Sequence, residues 1–145
     1  MGVLIDNRQS SYKLSQKKIR KKAQAILNAL DNPEAELSVV IVDDSEIEAL
    51  NQKYLNRSGP TNVIAFPMRE GEFSDLSPFL LGDVVISTET AGREALNSGI
   101  SVETRLDQLL IHGILHLFGF DHESNQRDAA KMEAKAVELL KRLEV

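Results

Sequence analysis

Apolar side chains recur at helical intervals along much of the chain and predict five helices. In the first, apolar residues from Ile19 to Leu30 are spaced three and four apart, which is typical of a helix that buries one face. The predicted helices begin at residues able to cap them, namely Ser15, one of residues 43–45, Ser87 or Thr88, Ser101 and Ser124. Their predicted ends are Leu30, Tyr54, Ser98, Gly119 and the last turn of the chain.

Four short stretches have the nearly continuous, β-branched character of buried strands. They span residues 3–6, 37–43, 63–66 and 80–87. Four strands among five helices, in mixed order, predict an α+β fold or an α/β sandwich, with a small mixed four-stranded sheet and helices packed on it. The polar segment 69–79 is predicted to be a loop of the kind that borders a functional site.

Composition narrows the class of protein. A chain of 145 residues, 42% hydrophobic and 27% charged, fits one globular domain that spans residues 1–145. The absence of cysteine excludes disulfides, thiolate metal ligands and cysteine nucleophiles. No stretch reaches the roughly 18 apolar residues of a membrane span, and the first ten residues lack the apolar core of a secretory signal. We therefore expect a cytoplasmic protein.

The net charge of -5 argues against a nucleic-acid partner, but the charge is unevenly distributed. The segment KLSQKKIRKK, residues 13–22, gathers six basic side chains, so the remainder is strongly acidic. Taken alone, this run fits either a solvated helix face or a patch that contacts phosphates.

All three histidines lie in HGILHLFGFDH, residues 112–122. On a helix, His112 and His116 share one face about 6 Å apart along the axis, so they can converge on one metal ion. Gly119 is placed to adopt the left-handed turn that can bring His122 back toward them. Three imidazoles leave coordination positions open for water or substrate, as in catalytic zinc sites. Zinc is favoured, and nickel and copper accept the same donors.

The surroundings of the histidines are also informative. Their face of the helix continues through Gln108 and Arg105 and is therefore polar along its length. Asp121 either accepts a hydrogen bond from a metal-ligand histidine and so orients it, or is an acid at the helix end. Metzincin peptidases share the spacing but read HExxHxxGxxH, and their glutamate serves as the general base. Gly113 occupies that position here, which disfavours a peptidase.

HGILHLFGFDH, PTNVIAFP at 60–67 and LGDVVIS at 81–87 together resemble the YbeY family of bacterial ribosomal-RNA maturation endoribonucleases. The resemblance extends from about Leu4 to the final helix. It implies a metal-dependent, single-strand-specific ribonuclease that acts in ribosomal RNA maturation and small-subunit quality control. The implied fold is a small mixed sheet with a central helix that carries the first two ligands. By motif position, His112, His116 and His122 are the implied zinc ligands, and His112 is also implied in catalysis.

One residue departs from the family pattern. The family usually has an arginine directly after the aromatic residue that ends the helix before PTNV, but here Tyr54 is followed by Leu55. Arg57 is the nearest substitute, and we predict that it holds the scissile phosphate; a solvent-exposed loop arginine is the alternative. Arg105 is a second candidate for stabilising charge at phosphorus.

The implied RNA substrate also gives the basic run a purpose. Partners are predicted to be ribosomal RNA and the small ribosomal subunit, with RNA backbone contacts through Lys17, Lys18, Lys21 and Lys22.

The sequence is consistent with two routes of cleavage and with two other functions. Phosphorus can be attacked by water or by the adjacent 2′-hydroxyl. Two alternatives are a metallopeptidase-like hydrolase and a non-catalytic ribosome-assembly factor with a structural metal. No P-loop, GxGxxG or GxSxG motif is present.

Overall fold

The computed structural model describes residues 2–68, 79–120 and 125–144. Within these ranges it contains four strands and five helices. The strands are β1 (Val3–Asn7), β2 (Glu36–Val42), β3 (Val63–Pro67) and β4 (Leu80–Ser87). The helices are α1 (Gln16–Ala29), α2 (Asp44–Leu55), α3 (Thr88–Ser98), α4 (Val102–Leu117) and α5 (Gln126–Glu144). The predicted fold class is confirmed.

The strands form one mixed sheet in the order β1-β2-β4-β3. β1, β2 and β4 are parallel, and β3 runs antiparallel at the edge beside β4. In register, Val39 pairs with Ile5 on one side and with Val84 on the other. The antiparallel strand carries residues 63–67 of the PTNVIAFP segment and lies next to α4.

Helices cover the two faces of the sheet unequally. The larger core joins the sheet to α1, α4 and α5, and the smaller one joins it to α2 around Ile47 and Val85. Helix α4 contacts β3, β4, α1, α3 and α5, which makes it the central helix of the molecule.

Buried residues are distributed around much of the circumference of α4. Leu109, Leu110, Ile111, Ile114 and Leu115 are all buried. This burial comes from neighbouring elements that pack against α4 from several sides. The partly buried histidines therefore sit on a rigid element, which favours a fixed site.

Most predicted helix starts are confirmed by their caps. Ser15, Ser87 and Ser101 each accept a hydrogen bond from a backbone N–H three residues on, and Asp43 stands at the start of α2. The predicted start of the last helix at Ser124 and the loop residues 69–78 lie outside the described residues. In the described part of the chain, no helix combines the length and apolar character needed to cross a membrane.

Candidate metal centre and adjoining cavity

His112 and His116 meet on one side of α4. Their Nε2 atoms are 3.0 Å apart, and the two rings lie 4.5 Å apart between centroids at an interplanar angle of 74°. Both side chains are partly buried near the C-terminal end of the helix. The predicted convergence of the pair is therefore observed.

The pair suits a metal ion that prefers nitrogen donors. Two imidazole nitrogens bound about 2.0–2.1 Å from a tetrahedral zinc ion lie about 3.3 Å from each other. The observed 3.0 Å between the Nε2 atoms is within a few tenths of an ångström of that value. Among the described residues, no group of three or more potential metal-binding side chains occurs. The predicted third ligand, His122, and Asp121 lie outside the described residues.

The turn after α4 is the one that the sequence predicts. Gly119 has φ of +94°, its N–H donates to the carbonyl of His116, and the N–H of Phe120 donates to that of Leu115. These two bonds form the Schellman motif, in which a residue in the left-handed conformation ends the helix and carbonyls of its last turn accept hydrogen bonds. Helix α4 therefore ends in a left-handed turn at Gly119, three residues after His116, as the sequence predicts.

Gly113 places α4 in close contact with the sheet. A Cβ atom at this position would lie 2.5 Å from Cγ1 of Val84 and 3.3 Å from Cγ2 of Val63. No larger residue fits without moving the helix away from the strands. At the position that holds the general base in metzincins, the space for a side chain is therefore occupied by Val84 and Val63 of the sheet.

A cavity of about 300 Å³ opens beside His112, between α4, α5 and the start of β3. His112 forms part of its wall, so the candidate metal pair borders it directly. Its other lining residues are Asn62, Val63, Arg105, Gln108, Leu109, Ile111, Glu133, Ala136, Val137 and Leu140.

A hydrogen-bonded network fixes the polar side of this cavity. Glu94 in α3 accepts from Nδ2 of Asn62 at 3.2 Å and from Nε of Arg105 at 3.1 Å. Arg105 also donates to Oε1 of Gln108 at 2.8 Å. Three elements are tied together beside His112, and the charge of Arg105 is balanced by the carboxylate of Glu94.

The predicted phosphate-binding residue Arg57 lies in the loop that follows α2. It is exposed and follows Asn56, whose left-handed conformation ends α2. The buried side chain of Asn51 donates a hydrogen bond to the backbone carbonyl of Gly59. The backbone carbonyl of Asn51 accepts a hydrogen bond from the N–H of Arg57, and both bonds hold this loop. Arg57 is not among the residues that line the cavity at His112.

The basic run forms the first turns of α1 and the segment before it. Lys17, Lys18 and Lys21 are exposed. Lys22 instead turns toward α4, where its Nζ lies 2.9 Å from Oδ1 of Asp107 and 3.0 Å from Oε1 of Glu103. Lys22 therefore joins two helices.

Electrostatics support that role for Lys22. Burial acts to lower the pKa of Lys22, but hydrogen bonds to Asp107 and Glu103 outweigh it and raise the pKa. The lysine stays charged as the partner of a carboxylate whose side chain is only 10% exposed. Asp107 lies about 140° around α4 from His112, so this ion pair and the histidines occupy different sides of the helix.

Sequence patterns identify part of the site. They predict Gln108 and Arg105 as the polar continuation of the histidine face, and both residues line the cavity. They do not identify Glu94 and Glu133, because these residues lie on α3 and α5 and only the packing of these helices brings them close. Asn62 has a signal in the PTNVIAFP segment, whose position next to α4 requires the antiparallel edge strand.

Comparisons with known proteins identify a family. A model of the family described as Endoribonuclease YbeY matches residues 4–144. The chain is 50% identical over 145 residues to a protein named Endoribonuclease YbeY from Syntrophotalea carbinolica, with 99% of this chain and 97% of the relative covered. A protein of the same name from Geobacter metallireducens has the same identity and coverage.

More distant proteins share the fold. A protein named Endoribonuclease YbeY from Aquifex aeolicus is 45% identical over 119 residues, which cover 82% of this chain and 77% of the relative. The solution structure of a Thermotoga maritima protein aligns with a TM-score of 0.67 at 23% identity, covering 97% of this chain and 88% of that one. The likeness to the Thermotoga protein concerns the fold alone.

Proposed function

The chain belongs to the YbeY endoribonuclease family, and on that premise we propose that it is a metal-dependent hydrolase that cleaves single-stranded RNA. Its substrate in this proposal is ribosomal RNA, cleaved during maturation and quality control of the small ribosomal subunit. The observation that carries the proposal is the pair of histidine Nε2 atoms 3.0 Å apart at the wall of a cavity.

In this proposal, His112 and His116 hold the ion, and His122 completes the set of ligands. A bound zinc ion supplies a Lewis acid that polarises a phosphoryl oxygen and lowers the pKa of water. Because His112 also borders the cavity, a phosphodiester bound at the ion would lie at the edge of the cavity. Helix α4 is buried on several sides, so the positions of the two imidazoles are maintained without substrate.

Of the two arginines considered for phosphate binding, Arg57 suits the role better. The charge of Arg105 is already balanced by Glu94, which weakens its attraction for a phosphate. Arg57 is exposed on a loop whose base is fixed by the buried Asn51, and an arginine can bind a phosphate with two parallel hydrogen bonds. We propose that Arg57 binds the RNA backbone at the scissile phosphate.

Two alternatives receive less support from the packing. A metallopeptidase needs a base at the position of Gly113, where Val84 leaves no room for a side chain. A purely structural metal is expected where a core is too small to hold an element in place. Helix α4 is held instead by buried residues such as Leu110, Ile114 and Leu115.

The experiment that tests this proposal compares three substrates. Purified protein is incubated with a single-stranded RNA, with the same RNA annealed to its complement, and with casein. We expect cleavage of the single strand, much slower cleavage of the duplex, and no release of peptides from casein. Cleavage of casein, or failure to cut any RNA, would refute the proposal.

A further inference from the structure

The cavity beside His112 has the walls expected of a site for one nucleobase. Its lining includes the apolar side chains of Leu109, Ala136 and Leu140 and the amides of Asn62 and Gln108. At about 300 Å³ it is at the small end of ligand-binding cavities. A flat ring with apolar faces and polar edges matches a lining that combines apolar side chains with amides.

The charges at the cavity favour a base over a phosphate. Glu133 contributes a carboxylate to the lining, and Arg105 is paired with Glu94 at 3.0 Å. A phosphate would meet an acidic side chain and an arginine that is already neutralised, whereas exocyclic amino groups of bases can donate to a carboxylate. These charges make the cavity better suited to a base than to a phosphate.

The amides of Asn62 and Gln108 are held in place by hydrogen bonds. Nδ2 of Asn62 is held by Glu94, and Oε1 of Gln108 accepts from Arg105, so both side chains are fixed before substrate binds. A side-chain amide offers two donors and one acceptor, so each can form further hydrogen bonds with a base. Fixed amides of this kind give preference among bases at a low entropic cost.

We propose that this cavity binds the nucleobase of the RNA residue next to the scissile phosphate and sets a base preference at that position. The inference rests on the proposed ribonuclease activity and deepens it. His112 belongs both to the candidate metal pair and to the cavity wall, so a base in the cavity lies within about one nucleotide of the histidines.

The test combines a filled cavity with RNA that lacks one base. Ala136→Leu places a larger side chain in the cavity, and Ala134→Leu makes the same change at an exposed position of α5. Single-stranded RNAs with one abasic site, moved along the sequence, are assayed with each protein. Binding of the same RNAs, labelled with a fluorophore, is measured by anisotropy in the presence of chelator.

We expect one abasic position beside the cut to lower kcat/KM and affinity of the unmodified protein about tenfold, because the apolar contacts of one base are lost. Ala136→Leu should lower both to a similar degree on intact RNA and cause no further loss on that abasic RNA. Ala134→Leu should match the unmodified protein.

The outcomes separate the two proposals. If the unmodified protein cuts RNA but tolerates every abasic site, or if losses from Ala136→Leu and the abasic site multiply, the base-binding cavity is refuted and the ribonuclease activity stands. If it cuts no RNA, both fail. If Ala136→Leu does not fold, Gln108→Ala replaces it. This variant should reduce preference among the four bases about fivefold, because it removes one hydrogen bond to a base edge. Unchanged preference would refute the inference.

Discussion

Gly113 in α4 and Val84 in β4 approach so closely that a Cβ atom at position 113 would lie 2.5 Å from Cγ1 of Val84. Glycine in a helix costs about 1 kcal/mol relative to alanine, so packing must compensate for it here. The close approach seats α4 on the sheet directly after His112. One residue thus both fixes the height of the histidines above the sheet and leaves no side chain at the peptidase base position.

Gly113→Ala is expected to destabilise the protein by about 1–3 kcal/mol, because overpacking outweighs the gain in helix propensity. Urea unfolding measures this change. Val84→Ala removes the atoms that collide, so Gly113→Ala should cost much less in that background. Equal costs in the two backgrounds would show that Val84 does not limit the approach of α4.

His112→Ala and His116→Ala are each expected to lower zinc affinity by more than about 100-fold. Loss of a residue that only hydrogen-bonds to a metal ligand already lowers affinity by up to that factor. Both variants should stop RNA cleavage and keep RNA binding. Competition with a chromophoric chelator, a cleavage assay and anisotropy measure the three properties.

The stability of the same variants separates a catalytic from a structural metal. Because α4 is held by its buried apolar residues, the metal-free variants should melt at the temperature of the metal-free unmodified protein. Melting temperatures that fall in step with activity would instead support the structural-metal alternative.

Lys22→Ala is expected to destabilise the protein by about 3 kcal/mol, because it leaves the carboxylate of Asp107 buried without its partner. Thermal or urea unfolding tests this value, with Lys21→Ala as the exposed neighbour for control. The double variant Lys22→Met with Asp107→Leu should recover most of the stability. An effect no larger than that of Lys21→Ala would mean that the ion pair contributes little.

Charge reversal at Lys17, Lys18 and Lys21 is expected to weaken binding of single-stranded RNA, because these exposed lysines of the basic run lie outside the ion pair that Lys22 forms with α4. The slope of log affinity against log salt should fall by about 0.7 for each phosphate that the protein no longer neutralises. Lys141→Glu on α5 serves as the control. Unchanged affinity and slope would identify the run as a solvated helix face.

The sequence predicts the elements well because their signals are local. Ser15, Ser87 and Ser101 cap helices, and Gly119 ends α4, since capping and left-handed turns depend on a few neighbouring residues. The histidine pair is also local, because residues four apart on a helix share a face.

Features that depend on tertiary packing cannot be predicted in the same way. Glu94 reaches Arg105 only because α3 packs beside α4, and no spacing along the chain encodes that interaction. Lys22 cannot be distinguished by sequence from the other lysines, because its carboxylate partner Asp107 lies 85 positions away. The sequence shows that Gly113 stands where a peptidase has its base, but the close approach to Val84 depends on how α4 packs on the sheet.

A zinc titration of RNA cleavage tests the proposed metal site more directly than any other measurement. Protein stripped of metal, and shown to be metal-free by elemental analysis, is mixed with single-stranded RNA and increasing zinc. We expect no cleavage without metal and a rate that rises linearly to a break at one ion per chain. His116→Ala, assayed in parallel, should stay inactive throughout. Full cleavage by the metal-free protein would show that His112 and His116 do not hold a catalytic metal.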